Sequence, residues 1–142
     1  MISVDTNILL YAQNADCPEH GAARDYLLGI ARSQDVAVCE RVLVELYLML
    51  RNPAVVRKPL GSAAAAEICQ GYRGNPRWRL IENAPVMGTV WAAAREKGFA
   101  RRRIIDLRLA LTLQHHGVTA LATANVKDFE RLGFERVWNP AA

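Results

Sequence analysis

Four acidic residues stand out by the company they keep. Asp5 closes the apolar run Ile2-Ser3-Val4, Glu45 lies inside the apolar stretch Val42 to Leu50, Asp106 follows Arg101-Arg102-Arg103-Ile104-Ile105, and Asp128 sits in Asn125-Val126-Lys127-Asp128-Phe129. Each has a purely structural reading. Asp5 suits a turn, Asp128 the cap of a short helix, and Glu45 a buried partner for an arginine. Asp106 suits a first helical turn, where exposed amides and the dipole favour a carboxylate by about 0.3–1 kcal/mol. Glu45 fits its structural reading least well, because an ionised carboxylate among apolar flanks is costly unless a cation or hydrogen-bond donors offset its desolvation. Gathered in one place, the four would repel one another and raise each other's pKa, and a divalent cation relieves that repulsion. Oxygen donors with no histidine among them suit Mg²⁺ or Mn²⁺ rather than zinc. Such an ion lowers the pKa of a bound water, which makes a nucleophile for phosphodiester hydrolysis, and a second ion could stabilise the leaving oxygen.

The elements that must position these acids can be read from pattern. Ile2-Ser3-Val4 reads as a short buried strand that delivers Asp5 to its carboxyl end, with Thr6 or Asn7 capping the helix that begins around Ile8. A helix follows from about Glu19 to Arg32, then a strand over Val36-Ala37-Val38-Cys39. Glu40 to Arg51 is apolar around nearly its whole circumference, which predicts an inner helix carrying Glu45. Ser62 opens an Ala-rich helix through Gln70, and Trp78-Arg79-Leu80-Ile81 alternates as a strand. Ala84-Pro85 introduces a helix through Lys97 that Gly98 can stop. A further apolar helix runs from the neighbourhood of Asp106 to Gly117. Thr119 to Thr123 reads as a strand, Asn125 to Phe129 as a turn into a short helix, and Glu135-Arg136-Val137-Trp138 as a last strand. Strands alternating with helices imply parallel pairing, hence an α/β fold: a three-layer α/β/α sandwich with a central, mostly parallel sheet. Ligands of such sheets bind at the carboxyl ends of the strands near a topological switch point. Asp5 and the turn after Thr123 both follow strands, and Glu45 and Asp106 lie near strand-to-helix junctions.

The 142 residues, 51% hydrophobic and 23% charged, fit a single domain over 1–142 with a substantial core. Cys17, Cys39 and Cys69 are an odd set without Cys-x-x-Cys spacing, so neither a disulfide framework nor a zinc knuckle is expected. No basic segment followed by an apolar one opens the chain, and the longest apolar run, interrupted by Glu45, is far short of the ~20 residues that a membrane span requires. A cytoplasmic protein without membrane attachment is the expectation. The formal charge of +4 is compatible with a polyanionic partner. Because the acids would themselves repel a nucleic acid, the basic residues should line the rim, among them Arg51, Arg57, Lys58, Arg77, Arg79 and above all Arg101, Arg102 and Arg103. His115-His116 suits a helix C-terminus, and Trp78, Trp91 and Trp138 suit core or subunit contacts.

Val4-Asp5-Thr6-Asn7, Glu45 in an apolar helix, Asp106 opening Asp-Leu-Arg-Leu-Ala, and Ala122-Thr123-Ala124-Asn125-Val126-Lys127-Asp128-Phe129 together resemble the PIN domain. More narrowly, they resemble the VapC toxins of type II toxin–antitoxin systems, and the likeness runs to Val137-Trp138-Asn139-Pro140. The resemblance implies a Mg²⁺-dependent endoribonuclease, usually a homodimer, in which Asp5, Glu45 and Asp106 bind metal. It also implies a cognate VapB-like antitoxin that wraps the toxin and obstructs the site. Thr123 matches the hydroxyl residue before the family's last acidic position. That position often holds aspartate where this chain has Asn125, so the fourth ligand is either Asp128 or the neutral oxygen of Asn125. Arg108 is open to pairing with an acid or meeting RNA. Two other readings remain: a phosphatase or phosphoacceptor using Asp5 as nucleophile, disfavoured because Asp5-Thr6-Asn7 has no second aspartate two residues on, and a non-catalytic module that binds RNA or an antitoxin.

Overall fold

β1 (Ile2–Val4), β2 (Val36–Cys39), β3 (Arg79–Ile81), β4 (Ala120–Ala122) and β5 (Arg136–Trp138) form one sheet in a computed structural model that describes residues 1–142. Every pairing is parallel and the order is β3-β2-β1-β4-β5. Ile2 pairs with Val36 on one side and with Ala120 on the other, so β1 is the central strand. Strands in such a sheet are covered on both faces and read as continuous apolar runs. β2 and β4 are buried throughout. The one hydroxyl in β1, on Ser3, is fully buried and donates to the Ala37 carbonyl at 2.7 Å, which meets the requirement that a buried polar group be paired.

Seven helices complete the outer layers: α1 (Thr6–Gln13), α2 (His20–Ile30), α3 (Glu40–Leu50), α4 (Ser62–Arg73), α5 (Met87–Ala94), α6 (Arg103–His115) and α7 (Val126–Phe129). The expected three-layer α/β/α architecture with a parallel sheet is thus the one observed. The chain steps from β1 to β2 to β3 in one direction, then returns to place β4 and β5 on the other side of β1. The reversal falls between β1 and β4, which puts Asp5 and Thr123, the residues just after those strands, beside each other at the switch point.

Two expectations need correcting. α3 is not an inner helix: Val42, Leu43, Leu46 and Leu50 face the core, while Val44 and Leu48 are 54% and 61% exposed. The helix packs against α1, α4 and β2 on one side only, so its second apolar stripe stays uncovered. α5 is also shorter than Pro85 to Lys97, because its last turn loosens before Gly98, which takes a left-handed φ of +86°. Trp78 packs as a core residue, 8% exposed, with its indole N–H donating to the Ile30 carbonyl and its ring stacked on Tyr72. Trp91 is 58% exposed. All three cysteines are free thiols, and no helix is long and apolar enough to cross a membrane.

Candidate active site

Asp5 leaves the sheet while still tied to it. Its amide donates to the Ala122 carbonyl at 2.9 Å, one step beyond the β1–β4 register, and its extended backbone makes it the N-cap of α1. The side chain is 7% exposed and accepts from three donors. Oδ1 accepts from the Thr6 amide at 2.8 Å; Oδ2 accepts from the Thr123 hydroxyl at 2.7 Å and the Asn7 amide group at 3.3 Å. Thr123 accepts in turn from the Asn125 amide at 3.0 Å, and Asn7 accepts from the Ala124 amide at 3.0 Å. The turn after β4 is therefore stitched to the turn after β1 by side chains from both. A carboxylate offers about four lone-pair directions, so one on Oδ1 stays free to meet a ligand. Burial pushes the Asp5 carboxyl above its ordinary value, and the Glu45 charge adds to this; hydrogen bonds from Thr123, Thr6 and Asn7 oppose it.

Glu45 reaches the same region from α3. Its Oε2 accepts from the Thr6 hydroxyl at 3.1 Å, and its Oε1 is 3.2 Å from Nε of Arg41, one helical turn earlier. The side chain is 31% exposed, so Glu45 keeps some contact with solvent despite its apolar flanks, and the Thr6 hydroxyl and Arg41 meet its two oxygens. Thr6, which pattern marked only as a capping residue, links the backbone contact of Asp5 to Glu45.

Asp106 lies in the first turn of α6 and is half-buried. Its carboxyl is pushed up to about 6, chiefly by burial and then by the charges of Asp5, Asp128 and Glu45. Asp106 thus feels the charge of three acids that lie apart from one another in the chain. Asp128, exposed on α7, lines with Asp106 a groove of about 530 Å³. Asn125 is exposed at the N-cap of α7, and its side chain makes no capping bond. No three of the His, Cys, Asp or Glu side chains close into a compact ligand set. The donor set is hard oxygen throughout, which fits Mg²⁺ or Mn²⁺.

The basic residues divide. Arg102 and Arg103 line the groove beside Asp106 and Asp128, together with Lys127 and Arg131, which the sequence pattern did not single out. Arg101 is exposed in the turn before α6 and is not among the groove's lining residues. Arg108 lies two positions beyond Asp106, hence on a different face of the helix, with its Nε buried and without a hydrogen-bond partner. His116 ends α6, as its position beside Gly117 predicts, with Nε2 3.2 Å from the Glu82 carbonyl.

A parallel five-stranded sheet with a buried aspartate at its switch point defines a class, and residues 2–135 match the family model of the PIN domain: the chain belongs to that family. It is 60% identical over 140 residues to ribonuclease VapC24 of Mycobacterium tuberculosis, from strain CDC 1551 / Oshkosh and from strain H37Rv alike, an alignment covering 99% of this chain and 97% of the relative. Among solved structures, M. tuberculosis VapC20, described as a sarcin-ricin loop cleaving toxin, superposes with a TM-score of 0.71 at 18% identity, covering 94% of this chain and 96% of that one. FitAB bound to an IR36 DNA fragment gives 0.67 at 19% identity, covering 100% and 96%. FitAcB from Neisseria gonorrhoeae gives 0.67 at 19%, covering 99% and 98%. At those identities the solved structures speak for the fold alone.

Proposed function

We propose that this chain is a Mg²⁺-dependent endoribonuclease and the toxin of a type II toxin–antitoxin pair, held inactive by a VapB-like antitoxin. The observation that carries the reading is the buried Asp5 carboxylate at the sheet's switch point, held by Thr6 and Thr123 with Glu45 on the Thr6 hydroxyl; the charges of Asp5, Asp128 and Glu45, after burial, push the Asp106 carboxyl up. The 60% identity to a protein named ribonuclease VapC24 supports the activity, and the antitoxin partner follows from the likeness to the VapC toxins. A homodimer and a cytoplasmic location follow from the family likeness; Val44 and Leu48 supply exposed apolar surface, and size-exclusion chromatography with light scattering tests the dimer.

Asp5, Asp106, Glu45 and Asp128 would hold the ion. When bound, it supplies the positive charge that eases ionisation of an attacking water and screens the phosphodiester oxygens. Asp5 is oriented for this before anything binds, because Thr6, Asn7 and Thr123 fix both of its oxygens and leave one lone-pair direction open. Thr6 fixes Glu45 in the same way. Asp106 holds a proton below about pH 6, so protonation and cation binding compete at this carboxylate. The same hydrogen bonds count against Asp5 as a phosphoacceptor, since its buried oxygens are engaged by Thr6, Asn7 and Thr123 rather than presented for attack.

Purified wild type should cleave RNA with Mg²⁺, and Asp5→Asn and Asp106→Asn should abolish cleavage while leaving the circular dichroism spectrum unchanged. Retained cleavage in both variants would overturn the assignment. A phosphoaspartate trapped on Asp5 would favour the phosphatase reading, and RNA or antitoxin binding without cleavage would favour the non-catalytic module.

A further inference from the structure

The acidic centre is flanked by two cavities of opposite character. On the α6–α7 side, the groove of about 530 Å³ carries Arg102, Arg103, Lys127 and Arg131 along with Asp106, Asp128 and Glu130. None of those four cations forms an ion pair, although three carboxylates line the same groove. On the α3 side, a cavity of about 370 Å³ carries Glu40, Glu45 and Glu82 with Arg41 as its one cation. Arg41 is already bound to Glu45 at 3.2 Å, and the nearby Arg73 is bound to Glu40 at 2.8 Å. Unpaired cations beside a hydrolytic centre attract phosphates, whereas neutralised ones do not.

We infer that the substrate strand is held on one side of the acidic centre only: single-stranded RNA lies along the α6–α7 groove with its phosphates on Arg102, Arg103, Lys127 and Arg131, and the α3 side repels it. The inference rests on the proposed ribonuclease reading and adds to it Lys127 and Arg131 as substrate-holding residues and the side of the acidic centre on which the strand lies. RNA is favoured over an acidic peptide because the groove runs into Asp106 and Asp128, which repel carboxylates as strongly as phosphates unless a bridging cation and a scissile phosphate meet there. Loops and unpaired strands are also the usual targets of sequence-specific RNA recognition.

The test is binding rather than cleavage, so that it can fail apart from the activity. Fluorescence anisotropy of a short 5′-fluorescein-labelled single-stranded RNA, with Ca²⁺ in place of Mg²⁺ and a salt titration, should show wild-type binding whose logarithm falls linearly with the logarithm of salt. The double variant Lys127→Gln/Arg131→Gln should bind about tenfold more weakly at low salt, with the slope reduced by about 0.7 for each of two phosphates. Arg24→Gln/Arg32→Gln on α2 and the residues after it should bind as wild type does, and Glu40→Gln/Glu82→Gln no more weakly. Thermal melts matched to wild type check that the exposed substitutions leave the fold intact. Unchanged affinity and slope in the Lys127/Arg131 variant overturn the inference, as does a wild-type chain that fails to retain RNA at low salt. Displacement of RNA by poly-glutamate at equal charge concentration overturns it in favour of an acidic peptide. A wild type that binds RNA without Mg²⁺-dependent cleavage, and loses that binding in the Lys127/Arg131 variant, supports this inference while defeating the activity.

Discussion

Thr123 and Asp5, 118 residues apart in the chain, are joined by a 2.7 Å hydrogen bond in which the hydroxyl donates and the buried carboxylate accepts. The bond spans β1 and β4, the strands between which the sheet order reverses, so it couples the position of one candidate ligand to the packing of the sheet itself.

Thr123→Val keeps the shape and removes the donor. A buried carboxylate that loses a partner costs about 1–3 kcal/mol, and its pKa moves further up as the bond that lowers it disappears. Unfolding in urea should show that loss, and Mg²⁺-dependent cleavage should fall about 10- to 100-fold. Thr123→Ser, which restores the hydroxyl, should recover most of both. A valine variant with unchanged stability and activity would remove Thr123 from the site.

The Asp106 carboxyl makes metal-free stability depend on pH in an unusual direction. Its folded value, about 6, lies above the ordinary 3.8, so the folded chain holds this proton more tightly than the unfolded chain does. The contribution is full below about pH 4 and disappears as pH rises through about 6. Asp5, raised by burial, acts in the same direction. Discounted for the half-exposure of Asp106, the effect is about 1 kcal/mol. Urea midpoints in EDTA at pH 4.5 and pH 7 should therefore differ between wild type and Asp106→Asn, the variant gaining relative stability at pH 7. Mg²⁺ at pH 7 should stabilise wild type and have a much smaller effect on the variant. An identical pH response in both proteins would show that Asp106 is not destabilised by its neighbours.

The parallel sheet and its layers were legible because apolar runs ended at polar residues: Val4 gives way to Asp5, and Ala122 gives way to Thr123. Strand order was not, since pairing is decided by packing between segments far apart in sequence, and only the structure reveals that β1 and β4 are neighbours. The acids were legible one by one through their flanks; what the sequence left open is how near they come, and the charges of Asp5, Asp128 and Glu45 all act on Asp106 without any three of the acids closing into a compact set. The bonding roles of Thr6 and Asn7 were hidden because a short polar residue after a strand reads equally as a helix cap. Lys127 and Arg131 look like ordinary surface charges in sequence; what distinguishes them is that they line the groove beside Asp106 and Asp128, which depends on three-dimensional neighbours. The apolar circumference of α3 misled for the same reason, because a stripe of Val44 and Leu48 reads as core whether or not anything in the monomer covers it.

Arg41 competes for Glu45. As a half-buried i,i+4 pair within one helix, the ion pair itself contributes only about 0.3–0.5 kcal/mol, so Arg41→Ala should be nearly silent in unfolding experiments. Releasing Glu45 should lower the Mg²⁺ concentration needed for half-maximal RNA cleavage. A rise in that concentration would instead assign Arg41 a positive role, holding Glu45 in place.

Asp128 and Asn125 can be separated as candidates for the fourth ligand. Asp128 lines the groove with Asp106 and is the second charge, after Asp5, that pushes the Asp106 carboxyl up, whereas Asn125 is exposed and acts on the site through its backbone N–H to Thr123. Asp128→Asn should therefore reduce Mg²⁺-dependent cleavage, and Asn125→Ala should leave most of it. The charges also act in a definite order, Asp5 before Asp128 before Glu45. Carboxyl ¹³C NMR titration of Asp106 in EDTA should accordingly show a larger downward shift with Asp128→Asn than with Glu45→Gln. Cleavage abolished by Asn125→Ala and untouched by Asp128→Asn would transfer the role to the Asn125 oxygen, and an Asp106 titration indifferent to Asp128 would place that carboxylate outside the site.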